Sequence, residues 1–167
     1  DITKFVKNCH QCRLYNPAKH VFHPPVSIAP NGVWQHLVMD LGTFNVTTPR
    51  GNNFILVVVD VFSRFTILRA IKDKTALSVA TELVSIFSLF GYPYILGHDN
   101  GKEFSANLLQ CITDQCGISE KLSLPFNPLG NSVAEATVKT TKRIIVKMLN
   151  GYDESWDLYV NSTALAM

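Results

Sequence analysis

Charge is scarce in this chain. Asp, Glu, Lys and Arg make up 17% of its 167 residues, and the formal net charge is only +2. So small a cationic excess does not by itself point to a nucleic-acid partner. Long apolar runs are missing too: no segment approaches the roughly 20 residues that a membrane-spanning helix needs. The N-terminus has no secretory apolar region, so the expectation is an intracellular protein with no membrane partner. Cysteine is also scarce. Cys9, Cys12, Cys111 and Cys116 do not read as a disulfide framework in a chain whose 47% hydrophobic content can bury its own core. Cys111 and Cys116 stand five apart on an expected helix, share no face, and read as small core or surface residues. No Ser or Cys shows an accompanying base that would mark a covalent nucleophile.

The charges that are present cluster. Residues 1–25 carry Lys4, Lys7, Arg13 and Lys19 against Asp1, and residues 136–150 carry Lys139, Lys142, Arg143 and Lys147 against no acid. Between these regions the pattern reads strand, strand, strand, helix, strand, helix, strand, helix, helix. Phe54 to Phe62 and Phe65 to Ile71 are apolar runs joined by a short turn, which predicts a hairpin; with Trp34 to Phe44 they make an antiparallel meander. Thr75 to Phe90 has helical spacing in Leu77, Ala80, Leu83, Val84 and Phe87, and ends at Gly91 before Pro93. Because Tyr94 to Gly97 follows a helix, it is expected to join the sheet parallel to the first strand through a right-handed crossover. The fold class expected is α/β, a mixed sheet flanked by helices. Ser155 to Met167 reads as a further helix without a capping signal.

Parallel alignment would bring two acids together. Asp99, in His98-Asp99-Asn100-Gly101-Lys102-Glu103-Phe104, sits where the short strand ends, and Asp40 lies inside the first strand. A third acid, Glu135, follows Asp99 after 35 intervening residues, near the start of a helix behind the loop Pro125 to Asn131. Carboxylates on separate elements meet readily around a hard divalent cation such as Mg²⁺, which takes oxygen ligands. Each acid also has a plainer reading. Asp40 fits a hydrogen-bonded core aspartate. Asp60, at the end of Phe54 to Phe62, rivals Asp40, although its place before Ser63-Arg64 suits local hydrogen bonding better. Composition and spacing do not choose between them. Ser132-Val133-Ala134-Glu135 fits a capping box. On the same helix Ala134, Val138, Thr141, Ile145, Met148 and Leu149 fall on one arc, and Lys139, Lys142, Arg143 and Lys147 on the next, with Glu135 at the seam. The basic arc suits phosphate contacts or, more plainly, a solvated face.

The pair Cys9-x-x-Cys12 can bite one Zn²⁺, but tetrahedral closure needs two further ligands. His10 is badly placed inside the bite, while His20 and His23 follow it. Pro17, Pro24, Pro25 and Pro30 mark a linker.

The order Met39-Asp40-Leu41, Val57 to Phe65, Asp99-Asn100-Gly101-x-Glu103-Phe104 and Pro128-x-x-Asn131-x-x-x-Glu135 resembles the catalytic core of retroviral-type integrases, most closely those of gypsy-type long-terminal-repeat retrotransposons. Phe5 to Cys12 is similar to the end of the integrase zinc-binding module. The resemblance implies a ribonuclease-H-like fold with a five-stranded mixed sheet, and a catalytic, metal-binding triad at Asp40, Asp99 and Glu135, with Asp60 not a ligand. It implies a remnant of the zinc module at residues 1–16, a Pro-rich linker at 17–32 and a C-terminally cut core at 33–167. Cys9 and Cys12 would be half of a Zn²⁺ site whose two histidines lie upstream. It implies two Mg²⁺ or Mn²⁺ ions, double-stranded DNA as partner (element ends and target), a homodimer or higher oligomer, and action in the nucleus. The activity implied is DNA 3′-end processing and strand transfer, with Asn131, Lys139, Lys142, Arg143 and Lys147 on DNA. A decayed core serving as a non-catalytic DNA-binding or oligomerisation module is the alternative. Two positions depart from the family pattern. His98 replaces a small polar residue, and Ser132 replaces a loop glycine, where a positive φ would strain serine.

Overall fold

Three largely apolar segments pair edge to edge through their backbones: His36–Thr43 (β1), Phe54–Asp60 (β2) and Thr66–Ile71 (β3) form the antiparallel meander that the pattern predicts. The computed structural model describes residues 30–99, 101, 107–122, 132–150 and 154–167. After β3 come the helix Ala76–Phe90 (α1), the strand Ile95–His98 (β4), the helix Asn107–Cys116 (α2), the strand Ser119–Leu122 (β5) and the helix Ser132–Met148 (α3). A 3₁₀ turn, Trp156–Tyr159, leads into the short helix Val160–Leu165 (α4). The sheet order is β3-β2-β1-β4-β5, with β4 parallel to β1 and β5 parallel to β4. This is the mixed five-stranded sheet flanked by helices that the sequence leads one to expect. Residues 1–29, with Cys9, Cys12, the expected zinc-module remnant and most of the linker, lie outside the described residues. Among the described residues no helix is long and apolar enough to cross a membrane.

Successive strand residues face opposite sides of the sheet, and the two sides carry separate cores. Leu37, Met39, Leu56, Val58 and Leu96 pack with Val79, Leu83, Ile86 and Phe87 of α1. Val38, Ile55, Val57 and Val59 pack on the other side with Ala134, Val138 and Ile145 of α3, and with Trp156 and Val160. Both faces of β2 are therefore apolar, which explains its unbroken run of valines.

Two sequence-based assignments of helix faces are corrected. Leu77 and Val84 are 66% and 51% exposed on α1, and the buried stripe is Val79, Ala80, Leu83, Ile86 and Phe87. Most of α1 is apolar, so two overlapping stripes both have helical spacing and only packing against the sheet selects one. On α3, Met148 is exposed and Leu149 lies past the last helical residue. The ends of α1 behave as expected: the Thr75 hydroxyl accepts from the Ser78 N–H at 3.2 Å, and Gly91, at φ +82°, donates its N–H to the Phe87 carbonyl at 2.8 Å. The Cys111 thiol is exposed and that of Cys116 half-buried, and both are free.

The turn after α3 clamps the long β1–β2 connection. Trp156 stacks on Phe44, ring centroids 3.9 Å apart and planes 10° from parallel, and donates its indole N–H to the Val46 carbonyl at 2.9 Å. Beside it the buried Asp157 carboxylate accepts from Arg50 Nε at 2.7 Å, Asn52 Nδ2 at 2.7 Å and Thr48 Oγ1 at 3.1 Å. The Arg50 guanidinium, ahead of the other donors, holds the Asp157 carboxyl down at about 2. A carboxyl whose folded-state pKa lies below its unfolded value adds stability above the unfolded value, about 3.9, and loses it as pH falls towards 2. Asp157→Ala is therefore expected to cost about 2 kcal/mol at pH 7. Thermal unfolding from pH 7 to pH 2 checks this: the gap between parent and variant should close between about pH 4 and pH 2.

Candidate active site

The first carboxylate is set by the central strand. Asp40 lies in β1 opposite Val57 of β2, half-buried, and its Oδ1 accepts the Leu41 N–H at 2.8 Å. It shares the parity of Val38, so it stands on the α3 side of the sheet. The β1–β4 pairing matches Leu37 with Leu96 and Val38 with Gly97. Two residues further along, the same register sets Asp99 beside Asp40 on that same side. Asp99 Oδ1 accepts the Gly101 N–H at 3.1 Å, a side-chain turn that closes the strand end. Glu135 stands exposed in the first turn of α3.

The two other acids act on Asp40. Burial raises the Asp40 carboxyl to about 6, and the charges of Asp99 and Glu135 push in the same direction; the Leu41 N–H and the Lys142 ammonium oppose the shift. The sheet and α3 thus bring Asp99 and Glu135 within electrostatic reach of Asp40. Among the described residues no three His, Cys, Asp or Glu side chains are arranged to hold a metal ion. Mutual repulsion of three anions opposes their convergence. The donor set still suits a hard cation, since all three are oxygen donors and Asp40 is the acid whose charge most needs compensation.

Asp60 is accounted for locally. It is 1% exposed, accepts from the Ser63 N–H at 3.1 Å and the Phe62 N–H at 3.4 Å, and also bonds the Ser63 hydroxyl. It belongs to the β2–β3 turn, whose Arg64 takes φ +66°.

The close approach of α3 to β1 depends on Gly42. A Cβ there would come within 2.8 Å of Ile55 Cγ2, 2.9 Å of Val138 Cγ1 and 3.2 Å of Lys142 Cε. This notch lets the Lys142 stem run along the strand with its ammonium 5.8 Å from the centroid of the Phe44 ring. Lys139, Arg143 and Lys147 are exposed, and none of the four cations forms an ion pair among the described residues. Asn131 lies outside the described residues.

One expectation about the start of α3 is corrected. Ser132 is the helix's first residue, with Glu135 in its first turn. The non-glycine residues at positive φ among the described residues are Trp34, Arg64 and Asn150, so Ser132 carries no such strain. Once a helix begins at 132, a right-handed helical φ suits serine.

Sequence reasoning did not single out Gly42, nor the contact of Lys142 with Asp40's surroundings. A glycine inside an apolar strand is the available signal for the first, since it marks close approach of another element. His98 is fully buried: its Nδ1 lies 2.7 Å from the Asp99 carbonyl oxygen, and its Nε2 lies 3.9 Å from Glu120 Oε2.

Comparison with known proteins bears on this arrangement. Residues 29–128 match the family model described as Integrase core domain. The chain is 28% identical over 144 residues to the Gag-Pro-Pol polyprotein of squirrel monkey retrovirus, covering 86% of this chain and 7% of that protein. Against the Gag-Pro-Pol polyprotein of Mason-Pfizer monkey virus it is 30% identical over 149 residues, covering 89% of this chain and 8% of that protein. The chain thus spans less than a tenth of either relative. Its fold is similar to a chain in the simian T-cell lymphotropic virus intasome (TM-score 0.78, 19% identity, 98% of this chain and 57% of that one). It is also similar to the catalytic core domain of BIV integrase (TM-score 0.65, 21% identity, 80% and 82%). The sheet is therefore ribonuclease-H-like, and the chain belongs to the integrase core domain family.

Proposed function

We propose that this chain is the core of an integrase that performs divalent-metal-dependent DNA 3′-end processing and strand transfer, inserting retroelement DNA into target DNA in the nucleus. The observation that carries the reading is the gathering of Asp99 and Glu135 around a half-buried Asp40 in a chain of the integrase core domain family; burial first, and then those two charges, raise the Asp40 carboxyl to about 6. Acids drawn from the end of the neighbouring strand and the first turn of a helix do nothing for stability beside Asp40, because both raise the cost of ionising it. They make sense as ligands. Asp40, Asp99 and Glu135 would together hold two Mg²⁺ or Mn²⁺ ions. Bound there, the ions would activate a water or a DNA 3′-hydroxyl and stabilise the developing charge on the phosphate and leaving oxygens.

The remaining roles fall to the protein's own groups. Asp40 supplies its charge from a half-buried strand position, where an anion meets weaker solvent screening than at the surface. Lys142, beside Phe44 and Gly42, offsets part of that charge. Lys139, Arg143 and Lys147 project from α3 as contacts for the DNA backbone, with Asn131 ahead of them. Cys9 and Cys12 would close a Zn²⁺ site only with histidines from upstream chain. Double-stranded DNA and further integrase copies are the partners this reading implies.

Asp99→Asn removes one charge with little change in shape. It is expected to abolish strand transfer on an oligonucleotide substrate, while leaving the metal-free protein as stable as the parent or more so. Mn²⁺ should then raise the unfolding temperature of the parent more than that of the variant. A variant that keeps transfer activity would remove Asp99 from the mechanism. A parent that binds DNA but neither binds metal nor transfers strands would favour the non-catalytic module. The basic face is tested apart from the carboxylates by Lys139→Glu with Arg143→Glu, both exposed positions. DNA affinity should fall alike on unrelated sequences, and the slope of log affinity against log salt should flatten by about one to two. An unchanged slope would mark an ordinary solvated helix face.

A further inference from the structure

We propose that His98 is a positioning residue for Asp99, locking the backbone from which that carboxylate projects; the inference rests on the two-ion reading above. His98 ends β4 opposite Leu122 of β5 and is 0% exposed. An apolar side chain would fill a buried strand position without the cost of removing a polar ring from water. The ring is anchored through Nδ1. Its Nδ1 lies 2.7 Å from the carbonyl oxygen of Asp99, and since a carbonyl only accepts, Nδ1 carries the proton and donates it. On the far side Nε2 faces Glu120 Oε2 at 3.9 Å, and the other oxygen of Glu120 accepts from Thr113 Oγ1 at 2.6 Å. Thr113 of α2 orients Glu120 of β5 beside the ring, and the bond from Nδ1 sets the Asp99 backbone.

The bond falls where orientation is decided. Rotation of the Asp99 carbonyl is rotation about ψ of Asp99, the torsion by which the chain leaves β4. With the carbonyl held by His98 and Oδ1 held by the Gly101 N–H at 3.1 Å, backbone and carboxylate are both restrained before any cation arrives. Groups that hold a metal ligand in place typically alter metal affinity or activity by about 10- to 100-fold when removed. His98 would thereby do through the backbone what a partner of the ligating oxygen does directly.

Two substitutions separate donor from shape. His98→Phe keeps a ring without a donor, and His98→Asn sets an amide nitrogen near the place of Nδ1. In metal-free protein, the Gly101 amide should exchange with solvent roughly tenfold faster in His98→Phe than in the parent. Its Mn²⁺ affinity, measured by titration calorimetry, should fall roughly 10- to 100-fold while thermal unfolding stays cooperative. His98→Asn should return both quantities towards the parent. Parent-like exchange and affinity in His98→Phe, or equal impairment in His98→Asn, would overturn the proposal. If His98→Phe does not fold, His98→Gln replaces it: its amide reaches the place of Nε2 and leaves the Asp99 carbonyl unbonded. A His98→Gln that matches His98→Asn would likewise overturn the proposal. A parent that binds no Mn²⁺ would sink the two-ion reading, and the Gly101 exchange rates would still decide the role of His98.

Discussion

The parallel pairing of β1 with β4 is the constraint on which the candidate site depends. Leu37 pairs with Leu96 and Val38 with Gly97, so the two strands carry Asp40 and Asp99 to the same height and the same face. A slip of one residue would turn one carboxylate to the α1 side, into a core of Leu, Val and Phe side chains. The register is fixed by what it buries. Leu37 and Leu96 are 0% exposed in one core while Val38 belongs to the other, and a slip would exchange these environments. Packing of apolar residues on both faces thus places two anions side by side, which neither would favour alone.

The third acid arrives by a different route. α3 lies against β1 because Gly42 leaves room for Val138 and the Lys142 stem, and that approach brings the first turn of the helix towards Asp40. Farther along, the Phe44–Trp156 stack and the Asp157 cluster tie the β1–β2 connection to the turn after α3. The site therefore rests on the sheet register and on the seating of α3, and Lys142 meets both at Gly42. Its ammonium partly offsets the charge that burial and the neighbouring acids make costly on Asp40.

Much of this was legible in the residues. The apolar runs of β2 and β3 and the helical spacing of Thr75 to Phe90 marked the elements, and the position of β4 after a helix implied its parallel pairing. The choice between Asp40 and Asp60 was not legible from spacing. It came from the family resemblance, and the structure supplies its own reason: Asp60 is engaged by the Ser63 and Phe62 N–H groups. The buried stripe of α1 was misplaced because Leu77 and Val84 satisfy the same periodicity as the true core residues. The strain foreseen for serine at position 132 is absent because α3 begins there without a positive φ. His98 stood out only as an unusual neighbour of Asp99. Its bond to the Asp99 carbonyl depends on the burial supplied by β5 and α2, which no local pattern encodes.

The central claim is that three carboxylates form one electrostatic unit built to take a divalent cation. Titration of the Asp40 carboxyl by carbon-detected NMR tests it most directly, in the parent, Asp99→Asn and Glu135→Gln, each with and without Mg²⁺. The account predicts a midpoint near 6 in the metal-free parent, a lower one in each variant, and a fall in the parent when Mg²⁺ is added. An Asp40 midpoint that neither substitution nor Mg²⁺ moves would contradict it.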